Sequence, residues 1–393
     1  MARFFDIFPR LNRSQFDKDL NKLENEKVNI DVNVNGENNI KNTNKAMSNL
    51  NSTGKDSGKV FSELRVKMGT YLATVKAVTE AVKGSISTIK MYDDYTTDLA
   101  NAMGSSREEA ENYLVTLNKQ GKQLYATTAE MAEGSDSLIR SGKSVAETET
   151  LLKDSLILSK VAKMESADAT DTLLTVMNSY KKGTEEVIDT VDALCAVDMT
   201  SAASADGLAI SLGKSASAAN MAGIEINKLI AMLAVMKESA PTESDEAIGN
   251  SMKSVLSRLN QVKAGAYVDS ETGESLNDVE KVLTKVGISV RNVNGEFIES
   301  EKIIDEVGKK WSSFDSITKR AVATAMGGSY QYNRVISLFE GYSKVLEYTE
   351  IAQNSSGKSL EKFGNYEESI EAKTKLTLLI LQMLKHRQLL MKE

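Results

Sequence analysis

The feature that most limits how this chain can fold is its near lack of proline. Pro9 and Pro241 are the only two prolines in 393 residues. Proline inside a helix costs about 3 kcal/mol, so long helices need long stretches without it. These stretches are rich in Ala, Lys, Glu, Ser and Leu, and aromatic residues make up only 6% of the chain. We therefore predict a mainly α fold of long helices and elongated helical hairpins, with few large aromatic anchors.

Two short segments predict β structure within this helical pattern. The run "VNIDVNVNG" from Val28 alternates apolar and polar residues and ends in a turn signal, which is typical of a short strand. The second segment is "GISVRNVNGEFI", in which two short β-type runs flank Asn294-Gly295. Asn-Gly is the strongest short-range hairpin signal, so we predict a small β-hairpin near 287–298.

The pattern divides the chain into five segments. Residues 59–104 carry apolar side chains at i+3 and i+4 steps, and such a single stripe needs a partner helix or another copy of the chain. The segments are 1–36 (helix plus strand), 37–58 (flexible polar linker), 59–104 (long amphipathic helix), 105–364 (core region of helical hairpins) and 365–393 (C-terminal helix).

Shorter helices are expected in the first part of the core region. A serine followed by acidic residues in "SSREEAENYLVTL" predicts a capped helix start after Ser105. We expect four to six helices from there to about Val262. The turns between them are placed at glycines in small polar surroundings, namely Gly134, Gly142, Gly183 and Gly223.

Composition excludes several classes of function. The net charge of −7 argues against nucleic acid as the main partner, because phosphate binding needs a basic face. Cys195 is the only cysteine, so no internal disulfide or cysteine-based zinc site can form; its apolar helical surroundings predict a core position. His386 is the only histidine, which removes histidine-based catalytic triads from residues 1–385. We predict no catalytic residues, no cofactor and no metal.

Neither a secretion signal nor a membrane span is predicted. The N-terminal residues are interrupted by Arg3, Asp6 and Arg10, which leaves no continuous apolar region. The most apolar run, "LTLLILQML" from Leu376, is too short to span a bilayer.

Four stretches between about Ala196 and Leu376 resemble the core region of phage tail tape-measure proteins, in the form common in long-tailed phages and prophages of Gram-positive bacteria. They occur in the order expected for that family and cover nearly half of the chain. The stretches are "TSAASADGLAISLGKSASAANMAGIEINKLIAMLAVMKES" from Thr200, "EAIGNSMKSVLSRL" from Glu246, "GISVRNVNGEFIESEKIIDEVGKKW" running into "AVATAMGGSYQYNRVISLFEGY", and "NSSGKSLEKFGNYEESIEAKTKL" from Asn354.

The resemblance implies a non-enzymatic virion protein that is made in the bacterial cytoplasm and occupies the lumen of the tail tube. It implies that helix length sets tail length and that the protein assists genome delivery. The implied partners are the tail tube protein, tail assembly chaperones and further copies of the chain. Positions that match the family motifs are Gly223, Gly249, Asn294, Gly295, Trp311, Gly327 and Gly328.

The stretch "SAASADGLAISLGKSASAANMAGIEINKLIAML" from Ser201 has two interpretations. About half of it is Ala, Ser or Gly. Small residues let helix backbones approach closely, which suits a slim bundle in a tube lumen. The other interpretation is a compact helical subdomain in which the small residues are ordinary packing.

More than one interpretation is open for the end of the chain and for the overall function. The final segment, "LTLLILQMLKHRQLLMKE", is apolar and basic, unlike the polar helix of the family. One explanation is a truncation or frameshift. The other is a C-terminal segment that binds a partner helix or a membrane surface. The alternative function is a membrane-active or effector-like helical bundle. A wall-degrading enzyme is a third hypothesis that no residue pattern supports.

Overall fold

A computed structural model describes residues 87–265, 270, 273 and 277–390 of the chain. Within these residues it contains fifteen α-helices and no β-strand, so the prediction of a mainly α fold is confirmed. In chain order the helices are α1 (87–103), α2 (Arg107–Leu124), α3 (Thr128–Arg140), α4 (Val145–Ala162), α5 (Ser166–Tyr180), α6 (Val187–Asp198), α7 (Ala205–Ala222), α8 (Ile226–Ser239), α9 (Asp245–Lys263), α10 (Asn277–Lys285), α11 (Ser300–Lys310), α12 (Ser316–Glu340), α13 (Tyr342–Gln353), α14 (Lys358–Glu367) and α15 (Ile370–Leu390).

Three successive helices begin with the same capping arrangement. Ser106, Thr127 and Ser144 each accept the backbone N–H of a glutamate three residues later, and that glutamate bonds back to the cap. This arrangement satisfies helix N–H groups that have no partner within the helix. The capped start after Ser105 is confirmed, with Ser106 as the capping residue.

The expectation of four to six helices between Ser105 and Val262 is wrong, because the structure has eight there. Two of the missed connections use a residue other than glycine in the left-handed conformation: Tyr125 and Lys163 have φ of 52° and 58°. The turn predicted at Gly183 does lie in the connection that follows α5. The turn predicted at Gly134, by contrast, is wrong. Gly134 lies inside α3, where a Cβ atom would stand 2.6 Å from a side-chain carbon of Leu152.

Helix α7, the small-residue helix, lies in the middle of the fold. It packs most extensively against α9 and also contacts α5 and α8. Its buried face is made almost entirely of Ala, Ser and Gly with two leucines, Leu208 and Leu212. A Cβ at Gly249 of α9 would stand 2.5 Å from the carbonyl oxygen of Ser211 in α7. The small residues therefore give close packing within one chain, as the compact-subdomain interpretation expects.

We expect Gly249→Ala to destabilise the protein by about 1–3 kcal/mol, because the added methyl meets helix backbone and forces α7 and α9 apart. Urea unfolding followed by circular dichroism measures the change. Gly364→Ala is the matched control, since a Cβ at Gly364 in α14 meets nothing within 4 Å. Its higher helix propensity should raise stability by about 0.5–1 kcal/mol. Equal effects of the two substitutions would contradict close packing at Gly249.

The segment predicted as a β-hairpin is a chain reversal with one antiparallel bridge. Arg291 pairs with Phe297, and the N–H of Ile298 donates to the carbonyl of Val290 at 2.9 Å. The backbone pairing is too short to count as two strands. The predicted helix and strand of 1–36, the linker of 37–58 and the part of the long helix before 87 lie outside the described residues.

Candidate interaction groove

A break in α12 shapes the surface that stands out as a candidate site. Gly328 has φ 67° and ψ −176°, which interrupts the helix and is a conformation essentially confined to glycine. In the sequence, Gly327-Gly328 separates "ITKRAVATAM" from "YQYNRVISLFEGY", and because glycine disfavours helix this predicts separate helices on either side. At Gly327 a Cβ would stand 2.8 Å from a side-chain carbon of Val335, so the second half of α12 packs tightly against the break.

Two side chains hold the halves of α12 in place. Arg258 of α9 is buried, and its Nε donates to the carbonyl oxygen of Ala325 at 3.0 Å, at the end of the first half. Trp311 is buried after α11, with Phe339 of the second half at a ring-centroid distance of 5.1 Å. The Nζ of Lys319, in the first half, lies 5.6 Å from the centre of the Trp311 ring. Trp311 thus contacts both halves.

A groove of about 810 Å³ lies between α9, α10 and α12, and its α12 lining runs from Ser316 in the first half to Ser329 just after the break. None of the described residues that line it is acidic, although the chain as a whole has a net charge of −7. Ile317, at its edge, is 79% exposed. The described lining residues are Arg258, Val279, Val282, Ser316, Ile317, Arg320, Ala321, Thr324, Ala325 and Ser329.

This lining combines apolar walls with a guanidinium group that solvent can reach. Arg320 is exposed and stacks near the Tyr332 ring at 5.4 Å. Arginine binds carboxylates through paired hydrogen bonds, and the apolar walls bury aliphatic or aromatic side chains. The groove is therefore suited to an apolar side chain with a carboxylate beside it.

Metal binding, membrane spanning and thiol reactivity find no support among the residues that the structure describes. No group of three His, Cys, Asp or Glu side chains in these residues is arranged to hold a metal ion. No helix within them is long and apolar enough to cross a membrane. Cys195 is fully buried, as its apolar surroundings predicted, and burial raises the pKa of its thiol to about 12. A buried thiol with a high pKa is unreactive.

The structure brings only some of the family-motif positions together. Trp311, Gly327 and Gly328 all belong to the α11–α12 unit described above. Gly249 does not belong to this unit and packs against α7 instead. The remaining positions lie at turns: Gly223 caps the end of α7 with φ 72°, and Asn294-Gly295 form the exposed tip of the 287–298 reversal.

Sequence reasoning missed Arg258 and Arg320. No local pattern singles out either residue, because each lies on an ordinary helical segment. The groove appears only when α9, α10 and α12 are packed together.

The sequence also matches a known protein family. The model of a phage-related minor tail protein family matches residues 115–328, which is more than half of the chain. The chain belongs to this family. No solved structure matches the chain. The family match includes the groove's described lining up to Ala325 and all seven motif positions, whereas the stretch from Asn354 that also carried the resemblance lies beyond it.

Membership in the minor tail protein family means that this chain is a phage tail protein with a structural role. The helical fold agrees with such a role. The long upstream stripe, the groove and the break in α12 are then features of a tail component.

Proposed function

We propose that the chain is the N-terminal and core part of a tail tape-measure protein, which occupies the tube lumen and sets tail length. The observation that supports this most is the match of residues 115–328 to a phage-related minor tail protein family. Upstream of it, the apolar stripe of 59–104 in the sequence predicts one long helix. A helix rises about 1.5 Å per residue, so its length in residues becomes a length in space.

Duplicating residues 59–86 in the phage gene should lengthen the tail by about 40 Å, and deleting them should shorten it by the same amount. Electron microscopy of purified tails measures the length, and mass spectrometry of the same tails detects the chain. Tails that contain the chain but keep one length in all three phages would contradict the ruler function. They would leave a minor tail component of another kind.

The same proposal places the protein in the virion tail after synthesis in the host cytoplasm. It also makes the protein non-enzymatic, which the structural character of its family favours. Cell-wall zymography tests this point: a cleared band at the size of the chain would contradict it.

We infer that the groove between α9, α10 and α12 binds an acidic amphipathic helix of a tail assembly chaperone. The basic and apolar lining is complementary to such a helix, as argued above. Ile317, at the edge of the groove, is 79% exposed, and a chaperone that binds before the tail is built would cover it together with the apolar walls.

Arg320→Glu should weaken chaperone binding at least tenfold, because it puts a carboxylate opposite the acidic helix. The tagged chain is co-expressed with each chaperone of the same tail gene cluster, and affinity is then measured by calorimetry. Lys253→Glu is the matched control, since Lys253 is exposed on α9 but does not line the groove. Equal affinity of both variants for every chaperone would contradict this assignment.

A further inference from the structure

Three acidic side chains line a second cavity, beside the first half of α4. The cavity has a volume of about 380 Å³ and lies between α4, the short helical turn Thr184–Glu186 and the start of α6. Glu149 and Asp154 line it from α4, and Glu185 lines it from the turn. Its other described lining residues are Ala146, Thr150, Lys153 and Ile188. Three carboxylates and one ammonium group therefore lie beside apolar atoms.

Asp154 differs from the other two acidic residues because it is buried without a partner. It is only 4% exposed, and no hydrogen bond or ion pair reaches its carboxylate from the described residues. Nearby Asp192 is equally buried, but it accepts the backbone N–H groups of Gly357 and Ser359. A buried carboxylate normally has such partners, since leaving it without them is costly. The cavity therefore contains a strong acceptor that the described residues leave unused.

The charges that face Asp154 are mostly negative. Burial raises the pKa of Asp154 to about 7; Lys153 lowers it, whereas Glu185 of the turn and Asp192 of α6 raise it further. Lys153 is the preceding residue on α4 and is exposed, and side chains of successive helical residues point roughly 100° apart. Glu149 adds another negative charge to the lining. A cation that enters the cavity would thus be attracted and would give Asp154 the partner it lacks.

The lining favours an organic cation over a metal ion. Calcium and magnesium need several oxygen ligands around one point, and the described acidic residues are not arranged to hold a metal in this way. An ammonium group donates up to three hydrogen bonds, and methylene groups attached to it can pack on apolar atoms. We propose that this cavity binds an alkylammonium group, with the ammonium on the carboxylate of Asp154 and the alkyl chain along Ala146 and Ile188.

Two sources can supply this chemistry, namely a free diamine and a lysine side chain of a partner protein. Calorimetry on the full chain in low salt compares pentylamine, which has only the shared group, with cadaverine and with Nα-acetyl-lysine methylamide. All three should bind at pH 8. Tighter binding of cadaverine than of the lysine derivative would identify a free diamine as the ligand, and the reverse order would identify a lysine side chain. The site does not depend on the ruler function or on the chaperone groove.

The pH dependence tests whether the ammonium binds at Asp154. Alkylamines stay protonated from pH 5.5 to 8, whereas Asp154 in the folded protein gains its proton below about pH 7. Binding of the ammonium needs the ionised carboxylate, so affinity should fall at least tenfold from pH 8 to pH 5.5. At about pH 6.5 binding should release protons, which calorimetry in two buffers of different ionisation enthalpy detects.

Substitutions separate Asp154 from the general negative charge of this region. Asp154→Asn should weaken binding at least tenfold at pH 8. Its fold should be retained, because asparagine has nearly the same shape and no charge to desolvate, and circular dichroism melts check this. Asp171→Asn is the matched control, since Asp171 is exposed on α5 and does not line the cavity; its affinity should equal that of the wild type. Glu185→Gln should weaken binding by only about two- to fivefold, because Glu185 is exposed.

Four results would overturn the proposal. The first is a wild type that binds none of the three amines at pH 8. The second is equal affinity of the wild type and Asp154→Asn for pentylamine. The third is the same affinity at pH 5.5 and pH 8. The fourth is binding by Lys153→Gln but not by the wild type, which would show that the chain's own lysine already occupies the cavity.

Discussion

Asp154→Asn is expected to raise the free energy of unfolding by about 2–4 kcal/mol at pH 8. Asp154 lies on α4 and is only 4% exposed. Within the described part of the chain, no group donates a hydrogen bond to its carboxylate. Burial raises the pKa of Asp154 to about 7; nearby Lys153 lowers it, while Glu185 and Asp192 raise it further. The asparagine has nearly the same shape and carries no charge to desolvate.

The pKa of Asp154 fixes the direction of the pH dependence. The folded protein holds this proton up to about pH 7, whereas an unfolded aspartate loses it near pH 4. The stabilisation is therefore complete below about pH 4 and is lost as the pH rises to about 7. Between these values, the wild type should lose stability that Asp154→Asn retains. Urea unfolding at pH 5, 6, 7 and 8 measures the difference between the two proteins.

The matched control for this prediction is Asp171→Asn. Asp171 is exposed on the neighbouring helix α5, so removing its charge should change stability by less than about 0.5 kcal/mol at any pH. A difference between Asp154→Asn and the wild type that stays constant from pH 5 to 8 would show that Asp154 is ionised in the fold throughout.

Helix starts and the helical class were predictable because their causes are local. The serine and glutamate of "SSREE" interact within one turn of helix, so they can be recognised in the sequence. The lack of proline can also be recognised directly in the sequence, and it predicts the helical class. Helix ends were harder to predict, since Tyr125 and Lys163 adopt a conformation that only glycine signals reliably.

Contacts between distant parts of the chain could not be predicted from the sequence, for a different reason. Asp192 of α6 accepts the N–H groups of Gly357 and Ser359 at 2.7 and 2.8 Å, and so caps α14 from a distant part of the sequence. Nothing near Asp192 marks it as a helix cap. Its carboxylate looks like any acidic residue on a helix until α6 and α14 are packed together.

Of the features that form the candidate groove, only the break in α12 could be predicted from the sequence. Gly327-Gly328 signalled a helix boundary because two glycines disfavour helix, and Gly328 does interrupt α12. Arg258 and Arg320 supply the groove's charge from separate helices. Their meeting depends on the packing of α9 against α12, which a one-dimensional pattern does not encode.

Glu130→Gln is expected to destabilise the protein by about 3–5 kcal/mol at neutral pH, because it leaves a buried lysine without a charged partner. Lys160 of α4 is only 5% exposed, and its Nζ binds the carboxylate of Glu130. Lys375 of α15 binds the same oxygen at 3.2 Å. Burial alone would raise the pKa of Glu130, but these lysines and the Thr127 N–H lower it to about 2.

The lowered pKa of Glu130 also predicts a loss of stability in acid. An unfolded glutamate takes up its proton near pH 4.3, whereas the folded Glu130 does so at about pH 2. The stabilisation is therefore present above about pH 4 and is lost as the pH falls to about 2. Unfolding curves of the wild type and Glu130→Gln should converge over this range.

A second glutamate separates the effect of the ion pair from that of helix capping. Glu147 forms the same capping box with Ser144 at the start of α4, but no described lysine forms an ion pair with it. Glu147→Gln should therefore cost about 1 kcal/mol or less. Combining Glu130→Gln with Lys160→Met should restore most of the lost stability, because the methionine fills the same space without a charge. If the double variant stays as unstable as Glu130→Gln alone, the buried charge of Lys160 is not the cause.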